Sequence, residues 1–231
     1  MIKRLAAGAA LVLLVPAATR AEEGAYAGFT LIGSVAQTRD ARNEGSLGGN
    51  TTNPNDSDLV GGFGGLLGYE WELPEGPLGG ALRGEIELHY RVRYDFDRNR
   101  PVIDSAFPNA GLDSNLSSAT GLANLYYLPE LNSAFRPYLG GGLGGTLYDA
   151  PSEFNDLGGL GLIRDQSSGL NFTWAAAAGA IWEWDARTDF VIGYRYIDLG
   201  TIEFGRFVDG GIEVEADYTS HDVVLGVLYK F

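Results

Sequence analysis

From Ala81 to Tyr94 the chain reads ALRGEIELHYRVRY, and the residues sort by parity. Arg83, Glu85, Glu87, His89, Arg91 and Arg93 fall on one face of an extended strand, while Leu82, Ile86, Leu88, Tyr90, Val92 and Tyr94 fall on the other. The alternation outruns the roughly 5 to 6 residues of a globular strand and reaches the roughly 9 to 11 that cross a bilayer at a tilt. A water-soluble sandwich gives no reason for so long an apolar face opposite a wall of charges.

Other segments repeat the pattern. Phe172, Trp174, Ala176, Ala178, Ala180, Trp182 and Trp184 share a face, with aromatic rings at both ends and small residues between, as in the two girdles of a membrane barrel. Phe63, Leu67, Tyr69 and Trp71 share another, as do Phe190, Ile192, Tyr194 and Tyr196. The final segment places His221, Val223, Leu225, Val227, Tyr229 and Phe231 on one side and Lys230 on the opposite side.

Connections alternate in size. Short ones lie at Leu73–Gly79, Leu128–Pro137 and Trp184–Asp189; long polar ones lie at Arg39–Asp58, Asp97–Asn115, around Asp149–Ser168, and from Gly205 to Ala216. Three short turns and four long loops join eight strands, predicted at 24–38, 58–73, 79–96, 116–128, 136–149, 168–184, 188–203 and 214–231. The predicted fold is all-β: an eight-stranded antiparallel up-and-down transmembrane β-barrel, closed because open edges cannot hydrogen-bond to lipid. Its interior is filled mainly by side chains. Inward parity assigns Glu70, Arg83, Glu85, Glu87, His89, Arg91, Arg93, Glu183, Arg195, Asp222 and Lys230 to a lumen charge network. Ion pairs filling a narrow barrel account for it, and the competing reading is a small porin-like path for ions or small solutes.

The first residues stand apart. Lys3 and Arg4 precede an apolar run from Leu5 to Ala18, and small residues follow at Thr19 and Ala21, so residues 1–21 are expected to be a secretory signal peptide and 22–231 the barrel domain. That run is too short for a membrane-spanning helix. Removing Lys3, Arg4 and Arg20 lowers the formal charge from −14 to −17 and leaves Lys230 as the remaining lysine. So acidic a chain makes nucleic acid a poor partner. Cysteine is absent, which excludes disulfides and thiolate metal sites.

With the strands in place, HDVVLGVLYKF at the end, GYRYIDLG at Gly193–Gly200, ATGLANLYYLP at Ala119–Pro129 and PYLGGGLGG at Pro137–Gly145 resemble segments of the OmpA-like and Opa-like eight-stranded surface barrels of the outer membrane. The resemblance covers essentially all of 22–231. It implies an outer-membrane location in a Gram-negative bacterium, contact with outer-membrane lipids and lipopolysaccharide, and recognition by the barrel-assembly machinery through Tyr229 and the terminal Phe231. It also implies a structural or surface-recognition role, as adhesin or antigen, with a host or cell-surface ligand on the extracellular loops. The peptidoglycan-binding domain that follows the barrel in OmpA-type proteins is not expected here, so cell-wall anchoring is not implied.

Catalytic and cofactor motifs are weak. In SHD at 220–222 neighbouring residues point to opposite faces of a strand, so they cannot converge as a triad. Gly140, Gly142 and Gly145 match G-x-G-x-x-G, with Asp165 downstream, but TLYDAP follows where a nucleotide site needs a helix. Gly140, Gly142 and Gly144 are instead expected on one strand face, where missing side chains either leave room for the lumen's long Arg and Glu side chains or make the thin wall of a passage. NPNDSD at Asn53–Asp58 lacks the glycine and terminal glutamate of a calcium loop. No cofactor, metal site or enzymatic activity is expected.

Overall fold

The computed structural model describes residues 24–46, 55–74, 76, 79–98, 110–130, 135–156, 161–207 and 211–231. The predicted signal peptide, Asn53 and Pro54 of NPNDSD and the tips of the long loops lie outside the described residues, while Asp56, Ser57 and Asp58 of NPNDSD are strand. Eight strands follow in order: β1 (Ala25–Asn43), β2 (Asp56–Leu73), β3 (Gly80–Arg98), β4 (Ala110–Pro129), β5 (Phe135–Asp156), β6 (Gly161–Glu183), β7 (Thr188–Phe207) and β8 (Ile212–Lys230). Each pairs antiparallel with the next, and β8 returns to β1, so the sheet closes as a barrel. The closing ladder runs from Tyr26↔Lys230 to Asn43↔Val214.

At the end carrying the short turns, every strand terminus lies within one residue of the sequence prediction. From this end upward, the outward parity is apolar. Phe29, Leu31, Leu67, Ile86, Leu139, Leu170, Ile192 and Leu225 are all exposed, as a lipid-facing wall requires. Rings gather at both margins of this belt. Tyr69 packs on Trp71 and Phe135 stacks on Trp182 near the short turns, while Trp174 and Tyr196 meet toward the long loops.

The long-loop end departs from the prediction. β4 starts at Ala110, β5 runs to Asp156 and β6 begins at Gly161, so most of the expected loop at 149–168 is a hairpin paired from Asp149↔Ser168 to Asp156↔Gly161. The expected loop at 205–216 is likewise strand, up to Phe207 and from Ile212. In this part of the barrel the face preference inverts. Along β8, Ile212, Val214, Ala216 and Tyr218 are buried inside while Glu213, Glu215 and Asp217 face out; lower down, Ser220 and Asp222 are inside while Val223, Leu225 and Val227 face out. The inversion marks where the outer solvent changes from hydrocarbon to water.

Arg93 is the second correction. The β3–β4 register slips between Arg91 and Tyr94, and Arg93 takes a left-handed φ of 32°. An extra residue in one strand of a pair flips the parity beyond it. Arg93 is therefore exposed outside the barrel, and Tyr94, expected on the lipid face, is buried inside.

Candidate functional site

The interior has two charged tiers below an apolar one. In the lower tier, nearest the short turns, Arg83 bonds Glu70 and reaches Asp189 at 3.2 Å, with its guanidinium 4.8 Å above the Tyr26 ring. Arg136 joins Glu70 at 2.7 Å to Glu183 at 3.2 Å, and Lys230 lies 3.0 Å from Asp189. The Tyr26 hydroxyl donates to Glu85 at 2.7 Å. In the upper tier, Arg195 donates to Glu87 at 2.8 Å and to Asp222 at 3.1 Å, and Arg91 reaches the same Asp222 oxygen. Asp222 Oδ1 accepts from Ser34 and Ser220 at 2.7 Å each. Arg91 also lies 2.7 Å from His89 Nε2; a guanidinium can only donate, so this nitrogen accepts and the ring proton sits on Nδ1.

Ten of the eleven sequence-predicted lumen residues thus meet inside, with Arg93 the exception. Asp189, Arg136 and Tyr26 belong to the same network and were missed: Asp189 and Arg136 sit at the first positions of predicted strands, where these overlap the expected short turns, and Tyr26 was one ring among twelve tyrosines. Between the tiers a cavity of about 50 Å³ is bordered by Arg83, Glu85, Tyr126 and Arg195. Side chains, mostly in opposite-charge pairs, fill this section of the lumen.

The β5 glycines face inward, but their neighbours are not the long charged side chains. A Cβ at Gly140 would meet the Leu125 carbonyl and the Tyr126 ring, one at Gly142 the Asn124 carboxamide, and one at Gly144 the Gly121 carbonyl. They let β5 and β4 approach while Tyr126 and Asn124 lean over β5. Asn124 then donates to Glu87 at 3.1 Å, so the glycines serve the charge tier through an intermediary.

Above Arg91 and Arg195 the interior becomes apolar. The β6–β7 ladder ends at Trp174↔Asp198 and the β2–β3 ladder at Gly61↔Val92, while the other six continue outward. The barrel wall therefore divides into two facing sheets, β3-β4-β5-β6 and β7-β8-β1-β2. Leu112, Leu116, Tyr148 and Phe154 of one pack with Phe204, Phe207, Ile212 and Val214 of the other in one buried core. Phe154 stacks on Phe207 at 5.4 Å and Tyr94 meets Tyr218 edge-on at 5.5 Å across the gap. Burying each such side chain contributes about 1.5–3 kcal/mol, so the extension carries a stabilising core of its own. At the β6–β7 seam side chains replace ladder bonds: Asn171 donates to the Leu199 and Thr201 carbonyls at 3.1 and 2.7 Å, and Asp165 accepts from the Arg206 N–H at 2.7 Å.

The outer face of the extension is acidic. Glu203, Glu213 and Glu215 bring carboxylate oxygens within 4.8 Å of one another. Arg206 neutralises Glu213 at 2.7 Å and Arg42 lies 3.0 Å from Glu215, so the cluster is a solvated charge network. Burial, and then the neighbouring Glu203, Glu44 and Glu213, raise the Glu215 pKa above its ordinary value, while Arg42 lowers it. The SHD segment divides as its parity requires. Ser220 bonds Asp222 inside, whereas His221 faces outward with Nδ1 2.6 Å from the Tyr194 hydroxyl.

A closed eight-stranded barrel with a lipid-facing belt and a charge-filled lumen defines an integral outer-membrane β-barrel. The sequence profile of the outer membrane protein beta-barrel domain matches residues 5–231, and the chain belongs to that family. It resides in the outer membrane. Outer membrane protein PagN of Salmonella typhimurium is 25% identical over 240 residues, covering 96% of this chain and 95% of PagN. Among solved structures, OprG from Pseudomonas aeruginosa superimposes with a TM-score of 0.52 at 15% identity, covering 91% of this chain and 97% of that one. Neisserial surface protein A gives 0.49 at 19% identity, with 91% and 100% covered.

Proposed function

We propose that this barrel is a non-enzymatic surface-recognition protein whose extracellular extension presents a binding face to another cell or a host surface. One observation carries the reading: the two-sheet extension has its own apolar core, which packs across the interior and holds the outer rim as a rigid platform. Recognition loops are commonly mounted on such rigid scaffolds. The platform is strongly acidic. Residues 198–217 contain six carboxylates and one arginine, which favours a cationic or neutral ligand over a polyanionic one. The paired lumen charges act as a structural filling on this reading. Tyr229 and Phe231, exposed at the end of β8 with ring centroids 5.6 Å apart, serve recognition by the barrel-assembly machinery.

The test shortens the segments 47–54, 99–109, 157–160 and 208–210 together and measures adhesion of cells displaying the protein. Adhesion should fall while the folded, heat-modifiable gel mobility persists; full adhesion without these segments would refute the reading. Planar-bilayer recordings should show no stable conductance. Reproducible steps altered by Arg83→Ala would favour a porin-like channel instead. Lipid A mass spectra should be the same with and without the protein.

A further inference from the structure

The lipid-facing wall is uneven near its short-turn rim. Phe29, Leu31, Phe135, Trp182, Trp184 and Phe190 border an apolar groove of about 520 Å³, roughly within the 300–1,000 Å³ range of ligand clefts. Trp182 meets Trp184 edge-on at 5.0 Å, and both lie 5.9 Å from Phe190, so rigid rings hold this wall. Beside the groove, the β6–β7 turn sets Arg187 next to Asp185. Asp185 Oδ1 accepts from the Arg187 and Thr188 N–H groups at 2.8 and 2.9 Å, which fixes the turn. Arg187 Nη1 lies 3.3 Å from the Tyr229 hydroxyl, two residues along β8 from Val227 of the groove. The backbone bond from Arg187, more than any other contact, holds the Asp185 carboxyl below its ordinary range, so it is ionised at neutral pH. The other two short turns are flanked by Glu72 and Glu130. The turns with Arg187 lie on the periplasmic side, where barrels of this class keep their short connections.

We infer that this groove is a phospholipid site of the inner leaflet selective for phosphatidylethanolamine, with Arg187 on the phosphate, Asp185 on the ammonium, and an acyl chain along Trp182, Trp184 and Phe190. The selectivity follows from charge pairing. A guanidinium binds phosphate oxygens in a fork, and a primary ammonium offers three N–H donors to a carboxylate. Phosphatidylglycerol offers Asp185 no cation.

The full chain carrying Trp71→Phe and Trp174→Phe retains Trp182 and Trp184 as the fluorescent reporters. Refolded in neutral micelles, it is titrated with phosphatidylethanolamine or phosphatidylglycerol brominated on the acyl chain, and heat-modifiable mobility verifies the fold of each variant. Quenching should saturate, with about fivefold tighter binding of the ethanolamine lipid, equivalent to roughly 1 kcal/mol. Arg187→Gln should weaken both lipids. Asp185→Asn, which keeps an oxygen for the two turn N–H groups, should erase the preference between them. Quenching proportional to lipid content, or equal for both headgroups in the parent protein, would overturn the assignment. So would competition by lipid A as effective as that by phosphatidylethanolamine, because it would reduce the site to phosphate recognition alone.

Discussion

Arg195 and Asp222 face each other on one rung of the β7–β8 ladder, and the same Asp222 oxygen is reached from β3 by Arg91. Two guanidinium groups thus converge on one buried carboxylate whose other oxygen is held by two serines.

Asp222→Ala leaves both arginines without this partner in the barrel interior. Breaking a buried pair this way costs about 3–5 kcal/mol, because the remaining charge is stranded away from water. Arg164→Ala removes an exposed pair with Glu153 and should cost below about 1 kcal/mol. Urea unfolding of both variants in micelles checks the contrast, and equal costs would show that the lumen network contributes little to stability.

Glycine positions separate by what surrounds them. Gly144→Ala drives a Cβ against the Gly121 backbone carbonyl, and forcing β4 and β5 apart should cost about 1–3 kcal/mol. A Cβ at Gly33 meets nothing within 4 Å, so Gly33→Ala should be neutral or stabilise by up to about 1 kcal/mol through reduced chain entropy. Midpoints of the same urea titrations read both changes.

The β6–β7 seam should open locally. Asn171→Ala removes the donor to the Leu199 and Thr201 carbonyls, a loss of about 1 kcal/mol per bond. Amide exchange by mass spectrometry should accelerate in residues 199–207 and stay unchanged in 188–198, where the ladder to β6 is intact. Uniform acceleration along β7 would mean that the seam is not an independent unit.

Glu215 makes the extension respond to pH. Its folded pKa is raised above the ordinary 4.5, so the folded state binds more protons than the unfolded chain as pH passes through the interval above that value. Stability therefore falls as pH rises through that interval, and the loss is complete above the folded pKa. Glu215→Gln should slow amide exchange of the outer β7–β8 hairpin at pH 7 and flatten its dependence between pH 4 and 7. A variant whose exchange still follows the parent's pH slope would assign the effect to other groups.

The lipid-facing belt was readable in the residues themselves. Hydrocarbon accepts only apolar side chains, so Phe172 through Trp184 and Val223 through Tyr229 had to alternate, and the short turns could be placed within one residue. Inward parity also identified ten lumen residues, because a narrow interior between lipid walls is where Arg83, Glu87 and Arg195 can find partners. The same alternation misled above the membrane. IEVEADY alternates as cleanly as any membrane segment, but with its charges outside, and reading polarity as loop stopped β7 at 203 and started β8 at 214, short of Phe207 and Ile212. Tertiary structure decided the rest. The Arg93 bulge depends on register against β4, the meeting of Arg91 with Asp222 depends on closure of the ring, and the apolar platform exists because two ladders stop while their neighbours continue. Each is a relation between strands distant in the chain, set by backbone pairing that no local pattern of side chains encodes.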